Sequence, residues 1–446
     1  MAEPLIVSVS GLRGVVGEAL TPPVAARYAR AFADSLPPGP VVVGRDGREH
    51  GPLFVAAIEQ TLRAVGRDVL DCGIAATPTV GIVVAAERAA GGIQVSASHN
   101  PARYNGMKLF SNAGRVLTAA AGATVRAAFE ADGTRSPTRG TPGGGLRHVD
   151  GTAGHVARVL ACVDVAAIRR RALRVWIDCC HGAGSRVALP LLEALGCTTI
   201  VEGGEPDGRF AHAPEPVAAN LAGLLPRIPA AAADVGFILD PDADRLAIAD
   251  ASGRWLGEEA TLAIAADTVL RRTPGPVVVN CSTSSMTAQL ATRHGVPCRM
   301  TAVGEANVVE GMLAAGAVIG GEGNGGVIDP RVVLVRDAAI AMALVLERLA
   351  APTTMAELAA TLPASAMVKD TVALPAGGLP AIEQRLVAAF PTARVARDDG
   401  LRLAWDGGWL LVRASNTEPI VRLVAEATGR PELEAAIERA RRAIAG

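Results

Sequence analysis

Short runs of β-branched residues alternate with amphipathic helical stretches through most of the chain. VVVG (41–44) precedes GPLFVAAIEQTLRAVG, RVWIDC (174–179) precedes SRVALPLLEALG, and PVVVN (276–280) precedes SMTAQLATRHG. Strand, turn and helix in repeated order favour α/β layers with largely parallel strands. The blocks follow one another without a fixed sequence period, so we expect separate domains rather than solenoid repeats.

Segments rich in helix and strand breakers suggest where these domains meet. The clearest linker is TRSPTRGTPGGGLRHVDG (134–151), a tight turn lies in DASGRWLGEE (250–259), and LPASAMVKDTVALP (362–375) leads into a C-terminal segment. In that segment two strand-like runs flank one loop and a charged helix follows, which is typical of an α+β domain. We therefore expect three α/β domains and a smaller C-terminal α+β domain, at residues 1–147, 148–251, 252–366 and 367–446.

Composition narrows the classes of function. The 446 residues are half apolar and exceed what one core holds, whereas their formal net charge is −1 and only 3% are aromatic. A nucleic-acid partner is therefore not expected. The N-terminus lacks a basic region followed by an apolar core, and charges interrupt the apolar runs, so we expect no signal peptide and no membrane partner. Seven cysteines without a CxxC pair suit a reducing cytosol and predict a cytoplasmic protein.

The stretch VGFILDPDADRLAIAD (235–250) is the sharpest candidate for chemistry. A strand-like run ends in three carboxylates within five residues, at Asp240, Asp242 and Asp244. These groups repel one another unless a cation lies among them, and Mg²⁺ is the usual choice where phosphates are handled. An EF-hand is excluded because Arg245 and Ala251 stand where glycine and glutamate are needed. An acidic turn that caps a helix stays open as an alternative.

A second candidate is GGIQVSASHNPARYNGMKLF (91–110), where a strand-like run stops at Ser98. A serine hydrolase is disfavoured because His99 and Ser98 are neighbours, which point to opposite sides of an extended chain. A serine that carries a phosphoryl group would need donors around it and a cation opposite. His99, Asn100 and Lys108 are plausible donors, and the three aspartates could supply the cation site. A plain polar turn is the alternative.

Two further loops carry groups suited to a phosphosugar, and each could instead be an ordinary turn. RASNTEPIVRLVAEA (413–427) offers guanidinium, hydroxyl and amide groups for a phosphate dianion, at Arg413, Ser415, Asn416, Thr417 and Arg422. GGEGNGGVIDPR (320–331) combines glycines, which let a ligand approach the backbone, with the Glu322 carboxylate, which can accept sugar hydroxyls. Near the N-terminus, Arg13 between glycines is another possible phosphate clamp.

Together these four loops, in this order and across nearly the whole chain, resemble the α-D-phosphohexomutase family. SASHNP is similar to the phosphoserine loop of that family, DPDADR to its magnesium loop, GGEGNGG to its sugar-specificity loop and RASNTEP to its phosphate-binding loop. The resemblance implies three related α/β domains with mixed, largely parallel sheets and a smaller C-terminal α+β domain around a central cleft. It also implies interconversion of hexose 6-phosphate and hexose 1-phosphate, with Mg²⁺ and a hexose 1,6-bisphosphate activator.

The resemblance also implies a role for each candidate residue. Ser98 would carry the phosphoryl group and, with it, bind Mg²⁺ together with Asp240, Asp242 and Asp244. Arg13, Lys108 and His99 would assist acid–base chemistry or stabilise the transferring group. The substrate would be bound by Glu322, Asn324, Arg245, Arg413, Ser415, Asn416, Thr417 and Arg422. The partner would be a small phosphosugar, bound by a monomer or a homodimer.

One departure from the family pattern affects both substrate and mechanism. Many members carry a histidine, thought to act in proton transfer, where this chain has Gly326. The form GEGNGGVI, with VGEANV upstream, looks most similar to a phosphoglucosamine mutase branch, so glucosamine phosphate is the expected substrate. Mannose or glucose phosphate is the close alternative. A phosphosugar-binding protein without turnover and a metal-dependent sugar phosphatase also stay open.

Overall fold

The computed structural model describes residues 3–9, 11–131, 143–375, 377–414 and 420–445. These residues form four β-sheets, three of them mixed and one antiparallel, with helices packed against them. The predicted α/β class with a smaller C-terminal α+β unit is confirmed. Within this described part of the chain, no helix is both long and apolar enough to cross a bilayer.

The first sheet has seven strands in the order β1-β2-β6-β5-β3-β4-β7. Its strands are β1 Ile6–Ser8, β2 Gly11–Val15, β3 Val41–Arg45, β4 Val69–Ile74, β5 Gly91–Val95, β6 Tyr104–Ser111 and β7 Leu146–His148. Its helices are α1 Pro22–Ser35, α2 Gly51–Ala64, α3 Thr77–Ala86 and α4 Ala119–Ala131. The pairs β3–β4, β3–β5 and β4–β7 are parallel, and the others are antiparallel.

The second sheet has the order β11-β10-β8-β9, and the third has the order β13-β12-β14-β15. The second comprises β8 Arg174–Asp178, β9 Thr198–Glu202, β10 Val235–Leu239 and β11 Leu246–Asp250, with helices α5 Thr152–Leu160, α6 Val165–Arg171, α7 Ser185–Ala194, α8 Ala218–Leu221 and α9 Arg227–Ala230. The third comprises β12 Val277–Asn280, β13 Cys298–Thr301, β14 Ile319–Glu322 and β15 Gly326–Ile328, with helices α10 Glu258–Leu270, α11 Ser285–Arg293, α12 Glu305–Ala315, α13 Ala338–Leu349 and α14 Met355–Ala360.

The fourth sheet is antiparallel throughout, in the order β16-β20-β19-β18-β17. Its strands are β16 Ala366–Ala373, β17 Arg394–Ala396, β18 Leu401–Trp405, β19 Gly408–Ala414 and β20 Ile420–Ala427. Helices α15 Gly378–Ala389 and α16 Arg430–Ala445 pack together on one face.

The first three sheets share one plan. In each, a central strand pairs in parallel with two neighbours, and the second of these continues into an antiparallel strand: β5 into β6, β10 into β11, and β14 into β15. The three connecting loops contain Ser98, the aspartate triad and the glycine-rich segment after Glu322, respectively. Three of the four candidate loops therefore occupy the same topological position in related units.

Buried helices join the first three units. Helix α13 lies against α10 of its own unit and against α5, α6 and α7 of the second, and its apolar side chains are almost wholly buried. One hydrophobic core runs from Val42 through Val175 to α13, whereas the fourth unit has its own core around Leu403 and Leu423. A small apolar cluster, Cys281 with Trp409 and Leu411, lies between the third and fourth units.

One segment departs from the sequence-based prediction. The breaker-rich stretch 134–151 is predicted to be a linker. Residues 134–142 lie outside the described residues, and in the remainder β7 pairs in parallel with β4 from Val69 to Asp71. All three residues of β7 are exposed. Without a buried face, the strand leaves no apolar pattern for sequence reading to find.

Candidate active site

The three aspartates converge in the loop between β10 and β11. All three side chains are buried, and one oxygen from each lies within 4.8 Å of the others. The backbone N–H groups of Asp244 and Arg245 donate to Oδ1 of Asp240, at 3.1 and 3.2 Å, which folds the loop around that carboxylate. Burial, reinforced by the charges of Asp244 and Asp242, raises the pKa of Asp240 well above its usual value.

The hydrogen bonds to these carboxylates leave two of their oxygens available to bind a cation. The Lys108 ammonium donates to Oδ2 of Asp242 and to Oδ2 of Asp244, at 2.6 and 2.7 Å, and the Thr77 hydroxyl donates to Oδ2 of Asp242 at 2.6 Å. Oδ1 of Asp242 and Oδ1 of Asp244 are buried and have no hydrogen-bond partner. A hard cation with oxygen ligands would satisfy both atoms, so the buried triad can hold a metal ion.

Ser98 faces this triad from the first unit. Its hydroxyl donates to Oδ2 of Asp240 at 3.1 Å, and its backbone N–H donates to Ser96 Oγ at 2.9 Å. Ser98 has a φ of +49°, in the left-handed region that non-glycine residues seldom adopt. Such a conformation persists only where its surroundings hold it.

Arg48 stabilises this backbone conformation of Ser98. Its buried guanidinium donates to four backbone carbonyls of the serine loop, those of Ser98, Asn100, Pro101 and Tyr104, at 2.6 to 2.9 Å. Its Nε also donates to Oδ2 of Asp46 at 3.1 Å. Both residues belong to the motif GRDGR (44–48), which therefore fixes the loop of Ser98 from the interior of the first unit.

Positive groups contact the loop of Ser98 and the aspartate triad that its hydroxyl faces. The Arg13 guanidinium donates to Oδ1 of Asn100 at 2.7 Å, and Nε of Arg245 lies 3.6 Å from Oδ1 of Asp244. Burial, together with the charges of Arg245 and Arg13, lowers the pKa of His99, so its imidazole is neutral at neutral pH. With Lys108, these cations make the space beside Ser98 suitable for a phosphate dianion.

Glu322 lies at the start of the third loop. Its Oε1 accepts from the Asn280 side chain at 2.8 Å and from the Gly304 backbone N–H at 3.1 Å. Its Oε2 accepts from the Arg336 guanidinium at 2.8 Å. The carboxylate is buried and fixed in direction, with lone pairs left for a ligand in the adjoining cleft.

A cleft of about 500 Å³ separates the third and fourth units. Glu322 and Asn324 line one side of it, and Arg413 and Arg422 line the other. The Arg413 guanidinium donates to Asp399 Oδ1 at 2.9 Å. The structure thus brings four of the expected sugar- and phosphate-binding residues together. Three others, Ser415, Asn416 and Thr417, lie outside the described residues.

Sequence reasoning missed three residues of this region. Arg336 lies beside Gly326, the position at which many family members carry a histidine. Arg48 holds the loop of Ser98. Lys369 of β16 donates to the Gly323 carbonyl and to Glu258 Oε2, each at 2.9 Å, and so links the fourth unit to the glycine-rich loop. All three act through contacts with residues that are distant in the sequence, which leave no local pattern to find.

Comparison with known proteins agrees with this arrangement. The chain matches the phosphoglucomutase/phosphomannomutase α/β/α domains I, II and III at residues 5–136, 153–253 and 258–366, and the C-terminal domain of the same family at 378–443. It is 34% identical over 425 residues to a Methanopyrus kandleri protein named "Probable phosphoglucosamine mutase", covering 94% of this chain and 93% of that one. It is 36% identical over 427 residues to a Thermococcus kodakarensis protein named "Phosphoglucomutase/phosphomannomutase", with the same coverage.

A solved structure shows the same architecture. The phosphoglucomutase/phosphomannomutase family protein of Burkholderia thailandensis superposes with a TM-score of 0.86 at 28% sequence identity, covering 98% of this chain and 97% of that one. The family assignment rests on the four domain matches in order and on relatives that match over nearly the whole chain. The serine that faces an aspartate triad agrees with it. The chain belongs to the phosphoglucomutase/phosphomannomutase family, whose members interconvert sugar phosphates.

Proposed function

We propose that this protein is a phosphohexomutase that interconverts glucosamine 6-phosphate and glucosamine 1-phosphate through a phosphorylated Ser98. The observation that carries the proposal is the position of Ser98. Its hydroxyl lies 3.1 Å from Asp240, in the triad that can hold a cation. Arg245 and Lys108 pair with the same triad, and Arg13 bonds to Asn100 in the loop of Ser98. Relatives named as phosphoglucosamine mutases support the choice of glucosamine. Mannose and glucose phosphates are the alternative substrates, since another relative is named for them.

Mg²⁺ is the cation that we propose for the triad. Three carboxylates supply hard oxygen ligands, and Mg²⁺ commonly combines a few carboxylates with phosphate oxygens. When bound, it would neutralise charge on the phosphoryl group being transferred. Asp240, Asp242 and Asp244 would hold it, while Lys108 and Thr77 keep two of these carboxylates oriented through their other oxygens.

The residues of the chain account for the transfer itself. In the first half-reaction the bond between phosphorus and Ser98 Oγ breaks, and a bond forms between phosphorus and a sugar hydroxyl oxygen. The hydroxyl proton ends on Ser98 Oγ, so a hexose 1,6-bisphosphate and a free serine result. Arg13, Arg245 and Lys108 balance the charge of the phosphoryl group, which is most of what such a transfer requires.

The second half-reaction needs the bisphosphate to turn around while it is bound. Arg413 and Arg422, across the cleft from Glu322, would grip whichever phosphate is not reacting. Glu322 and Asn324 would bind the sugar ring in either orientation. A hexose 1,6-bisphosphate supplied from outside would prime the enzyme. One of its two sugar O–P bonds breaks as the bond from phosphorus to Ser98 Oγ forms, the serine proton ends on the sugar oxygen, and a hexose monophosphate leaves.

Phosphorus NMR tests the proposal directly. Glucosamine 6-phosphate, mannose 6-phosphate and glucose 6-phosphate would each be added with Mg²⁺ and a trace of hexose 1,6-bisphosphate. We expect the 1-phosphate isomer to appear fastest from glucosamine 6-phosphate. Preference for another sugar would overturn the substrate but leave the mechanism. Free phosphate would indicate a phosphatase, and binding without any product would indicate a sugar-phosphate-binding protein.

A further inference from the structure

Arg336, directly before helix α13, brings together two loops of the site. Its Nη2 donates to Asp244 Oδ2 at 2.6 Å, and its Nη1 donates to Glu322 Oε2 at 2.8 Å. Its Nε lies 3.2 Å from Oε2 of Glu305. The side chain is buried, so these three carboxylates, from the second and third units, surround a single desolvated guanidinium.

The backbone of Arg336 is held from both sides. Its own N–H donates to Oε1 of Glu305 at 2.9 Å. The next residue, Asp337, accepts from the Ala339 backbone N–H at 2.8 Å, which caps helix α13, and lies 2.8 Å from the buried His155 ring. The guanidinium is therefore presented from a rigid helix start rather than from a mobile loop.

Gly326 makes room for the side chain of Arg336. A Cβ at position 326 would lie 2.3 Å from Cδ and 3.0 Å from Cγ of Arg336. Contacts below 3.0 Å between such carbon atoms are not tolerated, so any larger residue at 326 would displace the arginine stem. Gly326 and Arg336 thus form a matched pair within this site.

We propose that Arg336 is a positioning residue that fixes the metal-facing carboxylate Asp244 and the sugar-facing carboxylate Glu322 relative to each other. The proposal deepens the proposed function and rests on it for the sugar. A guanidinium has a planar fork that can hold two carboxylates in fixed directions, whereas an ammonium is a point charge without that geometry. Arg336, with Lys108, holds Oδ2 of Asp244, while Oδ1 of the same carboxylate has no hydrogen-bond partner and stays available as a ligand.

The direction in which Mg²⁺ affinity changes when Arg336 is removed shows whether Arg336 orients Asp244 or only repels the metal ion by its charge. Removing a positive group 2.6 Å from a cation ligand should, by Coulomb's law alone, strengthen Mg²⁺ binding. Loss of a residue that orients a ligand instead weakens metal affinity by roughly 10- to 100-fold. We expect Arg336→Gln, titrated calorimetrically with Mg²⁺ in the absence of sugar, to bind it at least about tenfold more weakly than the wild type. Equal or tighter binding would overturn the proposal.

The sugar side is tested by kinetics on the same variant. Arg336→Gln should raise KM for the sugar phosphate as well, and Arg336→Lys should restore neither property. Glu322→Gln should raise KM without weakening Mg²⁺ binding, because it leaves the contact between Arg336 and Asp244. Arg331→Gln is a matched control: Arg331 lies in the same segment but pairs with Asp329, outside the site. It should change neither property.

A double-mutant cycle tests the matched pair, and its Gly326→Ala arm leaves every charge in place. Gly326→Ala should reproduce the weakened Mg²⁺ binding, because the new methyl group displaces Arg336. In an Arg336→Ala background, which lacks the displaced stem, Gly326→Ala should add no further loss. Additive losses would show that the two positions act independently and would overturn the pairing. If the wild type isomerises no sugar but Arg336→Gln still weakens Mg²⁺ binding, the proposed function fails and positioning of Asp244 stands.

Discussion

The hydroxyl oxygen of Ser98 lies 3.1 Å from Oδ2 of Asp240, although 142 positions separate the two residues in the chain. Each lies in the loop between a parallel strand and its antiparallel neighbour, one in the first unit and one in the second. Their contact places a candidate phosphoryl carrier against a candidate cation site. Removing either group should therefore stop isomerisation in a different measurable way.

Ser98→Ala should abolish isomerisation, with a loss of more than about 10³-fold, because no oxygen remains to carry the phosphoryl group. The protein should still fold, since the change removes one hydrogen bond, worth about 1 kcal/mol. Rates come from the phosphorus NMR assay, and mass spectrometry after incubation with hexose 1,6-bisphosphate should show a phosphate on the wild type only. Ser35→Ala, which removes a hydroxyl that donates to the local Phe32 carbonyl, is the control. Wild-type turnover by the Ser98 variant would end the phosphoserine mechanism.

Asp242→Asn should weaken Mg²⁺ binding by at least about tenfold, or 1.4 kcal/mol, because it removes one carboxylate charge from the triad. Saturating Mg²⁺ should raise the thermal midpoint of the wild type, since a ligand at 100 times its Kd adds about 2.7 kcal/mol of stability. The variant should gain far less at the same concentration. Asp250→Asn is the control, because Asp250 is also buried in this sheet but bonds to Ser252 and Arg254. An equal rise in midpoint for wild type and Asp242→Asn would exclude the triad as the metal site.

Arg48→Met should lower the free energy of unfolding by about 3–5 kcal/mol, because it leaves Asp46 as a buried carboxylate without its cation. It should also speed amide hydrogen exchange in the serine loop, whose four carbonyls lose their donor. Urea unfolding and hydrogen exchange measure the two effects. Arg63→Met, which removes one contact to the Gly144 carbonyl in the same unit, should leave exchange near Ser98 unchanged. Unchanged exchange in both variants would show that the loop holds its shape without Arg48.

The local parts of this site could be read from the sequence, and the long-range parts could not. Three carboxylates within five residues repel one another in any fold, so the sequence alone predicted a cation site at Asp240, Asp242 and Asp244. Buried runs such as VVVN marked their strands in the same way. Arg336 gave no such signal, because its importance depends on Asp244 and Glu322, 92 and 14 positions away.

Other features stay predictions after the fold is known. The domain boundaries after residues 147, 251 and 366, a cytoplasmic location and a monomer or homodimer are among them. The family resemblance implied three related α/β domains, and the fold confirms them. The shared position of β5, β10 and β14 could not be seen from the sequence, because these strands share a topological position rather than a repeated motif. It explains why three chemically different loops meet at one place.

Glu259, at the start of α10, lies where the third unit contacts the fourth. It should make the free energy of unfolding depend on pH. Burial, opposed by the Lys369 ammonium 3.3 Å away, raises its pKa from 4.5 to about 7. Between these two values the folded chain holds a proton that the unfolded chain has released, so the free energy of unfolding falls as pH rises through that window. Glu259→Gln should remove this contribution, of up to about 1.4 kcal/mol per pH unit, in urea unfolding from pH 5 to 7.5. Glu310→Gln, which breaks an exposed ion pair with Arg115, is the control; an identical pH slope for wild type and Glu259→Gln would refute the assignment.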